Sequence, residues 1–189
     1  MPPRPASRLG TFSVRRAWAS FRRLRLSSNV RRHQNPPSSL SAQMPAIWKQ
    51  PISVESLTAI HVNTTVAHLG IEFLEVGEDF IRARAPVDSR TRQPYGILHG
   101  GVSVVLAETL GSCGAARAAP AGYRAVGLDI NANHIRSVSE GWVIGTARPV
   151  HIGRTTHVWQ IEVVNEHGKL TCVSRITMAI LAPGGSGQE

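Results

Sequence analysis

Apolar positions change period several times between residues 53 and 181, and each change marks an expected element. Val54, Leu57, Ile60 and Ala67 recur at helical intervals behind Ser53, an N-cap residue with Ser56 three places on, so a short amphipathic helix is expected over 53–68, ended by Gly70. Residues 71–76 and 80–86 then read as two strands joined by Gly77-Glu78-Asp79, with Ile81, Ala83 and Ala85 alternating against Arg82 and Arg84. A polar, turn-rich loop over 87–98 follows. The next apolar run, about 100–118, has helical spacing through Val102, Val105, Leu106 and Leu110 and stops near Pro120-Ala121-Gly122. Beyond it the period is that of strands: 125–134, 141–152, 155–164 and 170–181, with Glu166-His167-Gly168-Lys169 as the turn between the last two.

These elements sum to two strands, one long apolar helix and four strands. An antiparallel sheet needs a cover for its apolar face, and a single long helix is available for it. The pattern therefore predicts an α+β domain, a sheet wrapped around one buried helix. From Gly100 to Ala116 the only ionisable side chains are Glu108 and Cys113. A carboxylate in such surroundings is costly to bury unless something pairs with it or uses it. Glu108 is the residue that asks for a function.

Charge changes the picture only at one end. The 189 residues carry a formal charge of +9, which points at first to a nucleic-acid binder. Nine arginines and no acidic residue fall in 1–43, however, so the 12 basic residues that remain are balanced by the 12 acidic ones. The neutral remainder argues against nucleic acid as the partner of the domain. For the Arg- and Ser-rich stretch 1–43 three readings stand: a transit segment that would make the location organellar, a disordered arm attracted to phosphate or anionic lipid, or an untranslated leader ahead of a start at Met44. Each leaves a folded domain over 44–183 and a flexible end over 184–189. No apolar run is long enough to span a membrane. Cys113 and Cys172 lack metal-ligand spacing and are expected to stay reduced in a cytoplasmic protein.

The element order, with His99-Gly100-Gly101 at the helix start and Glu108 inside it, resembles the hotdog-fold acyl-CoA thioesterases. The likeness runs over 46–181 and includes the whole Gln93–Ser112 stretch, Asn131-Ala132-Asn133-His134 and His151-Ile152-Gly153. More narrowly, it resembles the branch that holds the bacterial 1,4-dihydroxy-2-naphthoyl-CoA hydrolases and the enterobactin-synthesis proofreading thioesterases. The resemblance implies hydrolysis of an aromatic or related acyl-CoA, with a homodimer or dimer of dimers as the active unit. A proofreading role on an acyl carrier protein, or a non-catalytic acyl-CoA sensor, are the rival readings.

Thioester hydrolysis needs a polarised carbonyl and a carboxylate that attacks it or activates water. The free N–H groups and positive dipole at a helix start can hold the carbonyl, and Gly100 is implied as the oxyanion donor. Glu108 lies eight residues on, roughly 12 Å along a helix, too far to serve a carbonyl held by its own helix start. Two helices from two subunits are therefore needed. Gln93 is expected to hold the water or the carboxylate, His99 to cap the helix or orient the thioester, and Ser112 to share a helix face with Glu108 within hydrogen-bonding reach. His134, at a strand end, is either structural or a substrate contact. The resemblance further implies coenzyme A contacts at Gly127, at His134, Ile135, Arg136 and Ser137, and at His151, Ile152, Gly153, Arg154, Thr155 and Thr156. Arg154 stands where the family has a small residue. The coenzyme A thioester is expected as substrate, with no bound cofactor and no metal.

Overall fold

A computed structural model describes residues 46–184, within the compact unit that spans 42–189. The Arg-rich stretch, Met44 as a candidate start and residues 185–189 lie outside the described residues.

Two short helices, α1 (Val54–Ile60) and α2 (Thr65–His68), lead into β1 (Glu72–Val76) and β2 (Ile81–Pro86). The long helix α3 (Gly100–Ala118) follows, then β3 (Arg124–His134), β4 (Trp142–Ile152), β5 (Thr156–Asn165) and β6 (Leu170–Leu181). The six strands form one sheet in the order β1-β2-β4-β5-β6-β3, with every pairing antiparallel. The chain has the expected α+β hotdog architecture, and α3 packs on the inner face against β2 to β6.

The expected single helix over 53–68 is in fact two. Ser53 and Ser56 close a reciprocal capping box, the Ser56 hydroxyl taking the part usually played by Glu or Gln. The helix then ends at His61, and Asn63 turns the chain with φ 60° before Thr64 restarts it. Asn tolerates the left-handed region, and the β-branched residues around it are indifferent helix formers. The break shifts the buried phase: Leu57 and Val66 are buried, whereas Ile60 and Ala67 face outward.

Contact between α3 and the sheet is close because small residues line it. A Cβ on Gly114 would stand 2.8 Å from the Trp159 ring, which is fully buried beneath the helix. Trp48 stacks on that indole, ring centroids 6.1 Å apart and planes within 7°. The segment carrying Trp48 is strapped in place: Ile47 N–H donates to the Glu78 carbonyl, and Lys49 and Gln50 N–H to that of Arg117. Gln50 Nε2 also donates to the carbonyls of Ala116 (2.7 Å) and Ala119 (3.0 Å), which satisfies acceptors at the end of α3.

Strand β3 is one edge of the sheet, and β1 is the other. Strand β3 pairs only with β6, and Val126 and Leu128 project from it 43% and 63% exposed. An eleven-residue edge with free backbone groups is a template for another strand. No helix among the described residues is long and apolar enough to cross a membrane.

Candidate active site

The start of α3 is built by the turn before it. Gln93 Oε1 accepts from the Tyr95 N–H at 2.9 Å, Gly96 adopts φ 78°, and the Gln93 N–H donates to the Ile97 carbonyl. His99 is the N-cap: its Nδ1 accepts from the Gly101 N–H at 2.9 Å. That bond occupies the second amide of the helix. The Gly100 N–H has no acceptor among the described residues, so one donor is left free at the positive end of a 19-residue helix. His134, at the end of β3, lies over the same point; a Cβ on Gly100 would stand 2.8 Å from its Nε2. Gln93, Gly100, His134, Ile135, Arg136 and Ser137 line one open cleft of about 310 Å³.

Glu108 sits two turns further along α3, half-buried, with no hydrogen bond or ion pair to the described residues. Its carboxylate is directed at β3, where a Cβ on Gly127 would stand 3.0 Å from Oε1. The expected bond from Ser112 to Glu108 is not made. Ser112 Oγ turns instead to the Met178 thioether of β6 at 3.9 Å.

The expected coenzyme A contacts are likewise divided between two ends of the molecule. In the sheet, His134 pairs with Cys172, whereas Gly127 pairs with Met178, which pairs in turn with His157 at the start of β5. Gly127, Glu108 and the β4–β5 turn over 151–156 thus occupy one end. Gln93, Gly100 and 134–137 occupy the other. The Gly153 N–H donates to the Thr156 carbonyl and the Ile180 N–H to that of Thr155, which fixes the turn, and Arg154 projects from it exposed and unpaired. At the other end the Arg136 guanidinium donates to the Leu170 carbonyl at 2.6 Å. Ser103, Val138 and Thr171 also line the cleft, each brought there by tertiary packing without any local sequence signal.

Both cysteines are free and buried. Burial pushes the Cys113 thiol up to about 12 and raises that of Cys172. Neither is an activated nucleophile.

The pattern of the thioesterase superfamily matches residues 95–172. The 1,4-dihydroxy-2-naphthoyl-CoA hydrolase of Escherichia coli K12 is 50% identical over 71% of this chain and 99% of its own length. The proofreading thioesterase EntH of Cronobacter turicensis is 45% identical over 71% of this chain and 98% of its own. Among solved structures, the thioesterase HI1161 of Haemophilus influenzae superposes with a TM-score of 0.73 at 47% identity, covering 75% of this chain and 99% of that one. A Staphylococcus aureus protein, 36% identical over 61% of this chain and 96% of that one with a TM-score of 0.59, has been solved with a glutamate replaced by alanine and, separately, with a glutamine replaced.

Proposed function

The chain belongs to the thioesterase superfamily and is a thioester hydrolase, and from that premise we propose that it hydrolyses an aromatic acyl-CoA at a site shared by two subunits. One observation carries the shared site: the free Gly100 N–H and the unpaired Glu108 lie on one helix, roughly 12 Å apart, and both face the open β3 edge. Antiparallel pairing of β3 with its copy, centred on Asn131 and with Leu128 bulged out of the register, would set Gly127 of one subunit opposite His134 of the other. Glu108 stands behind the first of these residues and Gly100 behind the second. The same pairing would join the two halves of the coenzyme A contacts.

In that site the thioester oxygen accepts from the Gly100 N–H, which strengthens as the oxygen gains charge. Glu108 of the other subunit takes a proton from water, and the oxygen of that water attacks the carbonyl carbon. The C–S bond then breaks and the departing thiolate is protonated, giving acid and free thiol. Direct attack by the carboxylate, through an anhydride that water opens, is the other form of the step. His99 keeps the second amide occupied, and the free Nε2 of Gln93 is placed to hold water. The glutamine and glutamate altered in the Staphylococcus aureus protein stand fifteen positions apart, as Gln93 and Glu108 do, which supports giving both a part in catalysis.

The 1,4-dihydroxy-2-naphthoyl thioester is the leading substrate, by the name of the E. coli relative. Release of misloaded groups from a carrier protein is the second reading, by the name of EntH. A panel of aryl- and alkyl-CoA thioesters assayed with the protein and its Glu108→Ala variant tests the proposal. Aryl-CoA turnover that collapses in the variant is expected; equal activity in both would remove Glu108 from the chemistry.

A further inference from the structure

We infer that the Tyr95 ring is the wall against which the acyl group lies, so that this side chain sets a preference for aryl over alkyl thioesters. The inference rests on the acyl-CoA reading above and deepens it by assigning a residue that recognises the acyl group. Tyr95 stands at the tip of a closed turn over residues 91–99. At the base of the turn the His99 N–H donates to the Thr91 carbonyl, and Arg92 pairs with Leu98. Nearer the tip the Gln93 N–H donates to the Ile97 carbonyl, the Gly96 N–H to that of Gln93, and the Tyr95 N–H to Gln93 Oε1. The Leu98 N–H ties the whole turn to the Val138 carbonyl, in a residue that also lines the cleft.

The backbone beneath Tyr95 is therefore fixed, yet its ring is 89% exposed. The other exposed large apolar side chains lie between 37% and 63%, and none of them is aromatic. Other rings among the described residues have cover: Trp142 lies beneath the Arg84 guanidinium, and Phe80 beneath those of Arg82 and Arg148. A bare ring on a fixed turn offers contact area with little ordering entropy left to lose on binding. Its position says what covers it. Gln93, Ile97 and Leu98 line the cleft from this turn, and the stretch from His134 to Ser137 lines it from the end of β3. With the thioester oxygen on the Gly100 N–H and the coenzyme A arm against 134–137, the side formed by the turn is left for the acyl group. The Tyr95 Cα stands at most ~7 Å from that of Gln93, so its ring borders that side. A planar acyl group gains an offset or edge-on ring contact there that an alkyl chain cannot make.

The test compares Tyr95→Ala and Tyr95→Phe in the full chain, on an aryl-CoA and on hexanoyl-CoA. In Tyr95→Ala, kcat/KM for the aryl-CoA should fall about tenfold while that for hexanoyl-CoA changes by less than about twofold. Tyr95→Phe, which keeps the ring, should keep the wild-type ratio of the two. Lost stability or a weakened dimer would lower both activities together and leave that ratio where it was. An unchanged ratio in Tyr95→Ala would therefore overturn the wall, whether both activities hold or both fall. If both fall and sedimentation shows the variant dissociating, the ring serves contact between subunits instead. A wild-type protein with no preference for aryl-CoA would overturn the aryl-CoA reading itself, and the wall with it. A wild-type preference that survives Tyr95→Ala would overturn the wall alone.

Discussion

Glu108 Oε1 and the Cα of Gly127 are close enough that a Cβ on the glycine would stand 3.0 Å from the carboxylate oxygen. The carboxylate thus rests against backbone with no side chain between them. Gly127→Ala should press the carboxylate out of line while leaving the fold intact, because the strand position is exposed. A displacement of about 1 Å at a reacting group costs on the order of 10²-fold in rate. Steady-state kinetics with an unchanged melting temperature would bear this out; wild-type kcat would show that the carboxylate tolerates the methyl group.

Gly100 occupies the first helical position after the His99 cap, where proline is well tolerated. His99, at φ −69° and ψ 129°, already has the backbone that a following proline requires. Gly100→Pro therefore removes one N–H and pushes the exposed His134 ring aside, a displacement that Gly100→Ala shares while keeping the N–H, so the difference between the two variants reads the donor. Loss of an oxyanion donor lowers kcat by about 10²–10³-fold. Circular dichroism should show a native melt beside that loss. Full activity in Gly100→Pro would mean that the thioester oxygen is held elsewhere.

His157 is 1% exposed, and its Nδ1 has no hydrogen-bond partner among the described residues. Burial first, then the positive fields of Lys49 and His151, hold its pKa below the ordinary value, and the Gly153 backbone only partly offsets them. A histidine lowered on folding binds more protons when unfolded, so stability rises with pH through the interval between the folded and unfolded values. The protein should lose stability as pH falls below about 6.5, and His157→Phe should flatten that part of the profile. Chemical denaturation at a series of pH values reads the difference, and parallel profiles would assign the acid sensitivity to other groups.

The elements that sequence reading placed well are those whose pattern is local. Helix α3 is long and apolar, and Ile81, Ala83 and Ala85 alternate cleanly with two arginines, so register and burial follow from period alone. The break at Asn63 within 53–68 is invisible to period, because it costs one turn and leaves the count of apolar residues unchanged. Within the site, the His99 cap was readable from its neighbours. The bond expected from Ser112 to Glu108 was not, because spacing of four residues gives proximity but does not weigh Met178, which arrives from β6. Nor could spacing reveal that Gly127 and His134, seven residues apart on one strand, belong to opposite ends of the molecule. Strand rise separates them by about 23 Å, and only the open edge of β3 says how the two ends meet.

That edge yields the most demanding prediction. If each site takes Gly100 from one subunit and Glu108 from the other, two inactive variants should rescue each other. Glu108→Ala and Gly100→Pro homodimers are each defective in both of their sites. In a mixed dimer of two-fold symmetry, one site receives both defects and the other receives neither. Random reassortment makes about half of the dimers mixed, so an equimolar mixture unfolded and refolded together should regain about a quarter of wild-type activity. Mixing without unfolding should regain it only as fast as subunits exchange. A refolded mixture no more active than its parents would place Gly100 and Glu108 in the same subunit's chemistry, or in none, and the shared site would fall.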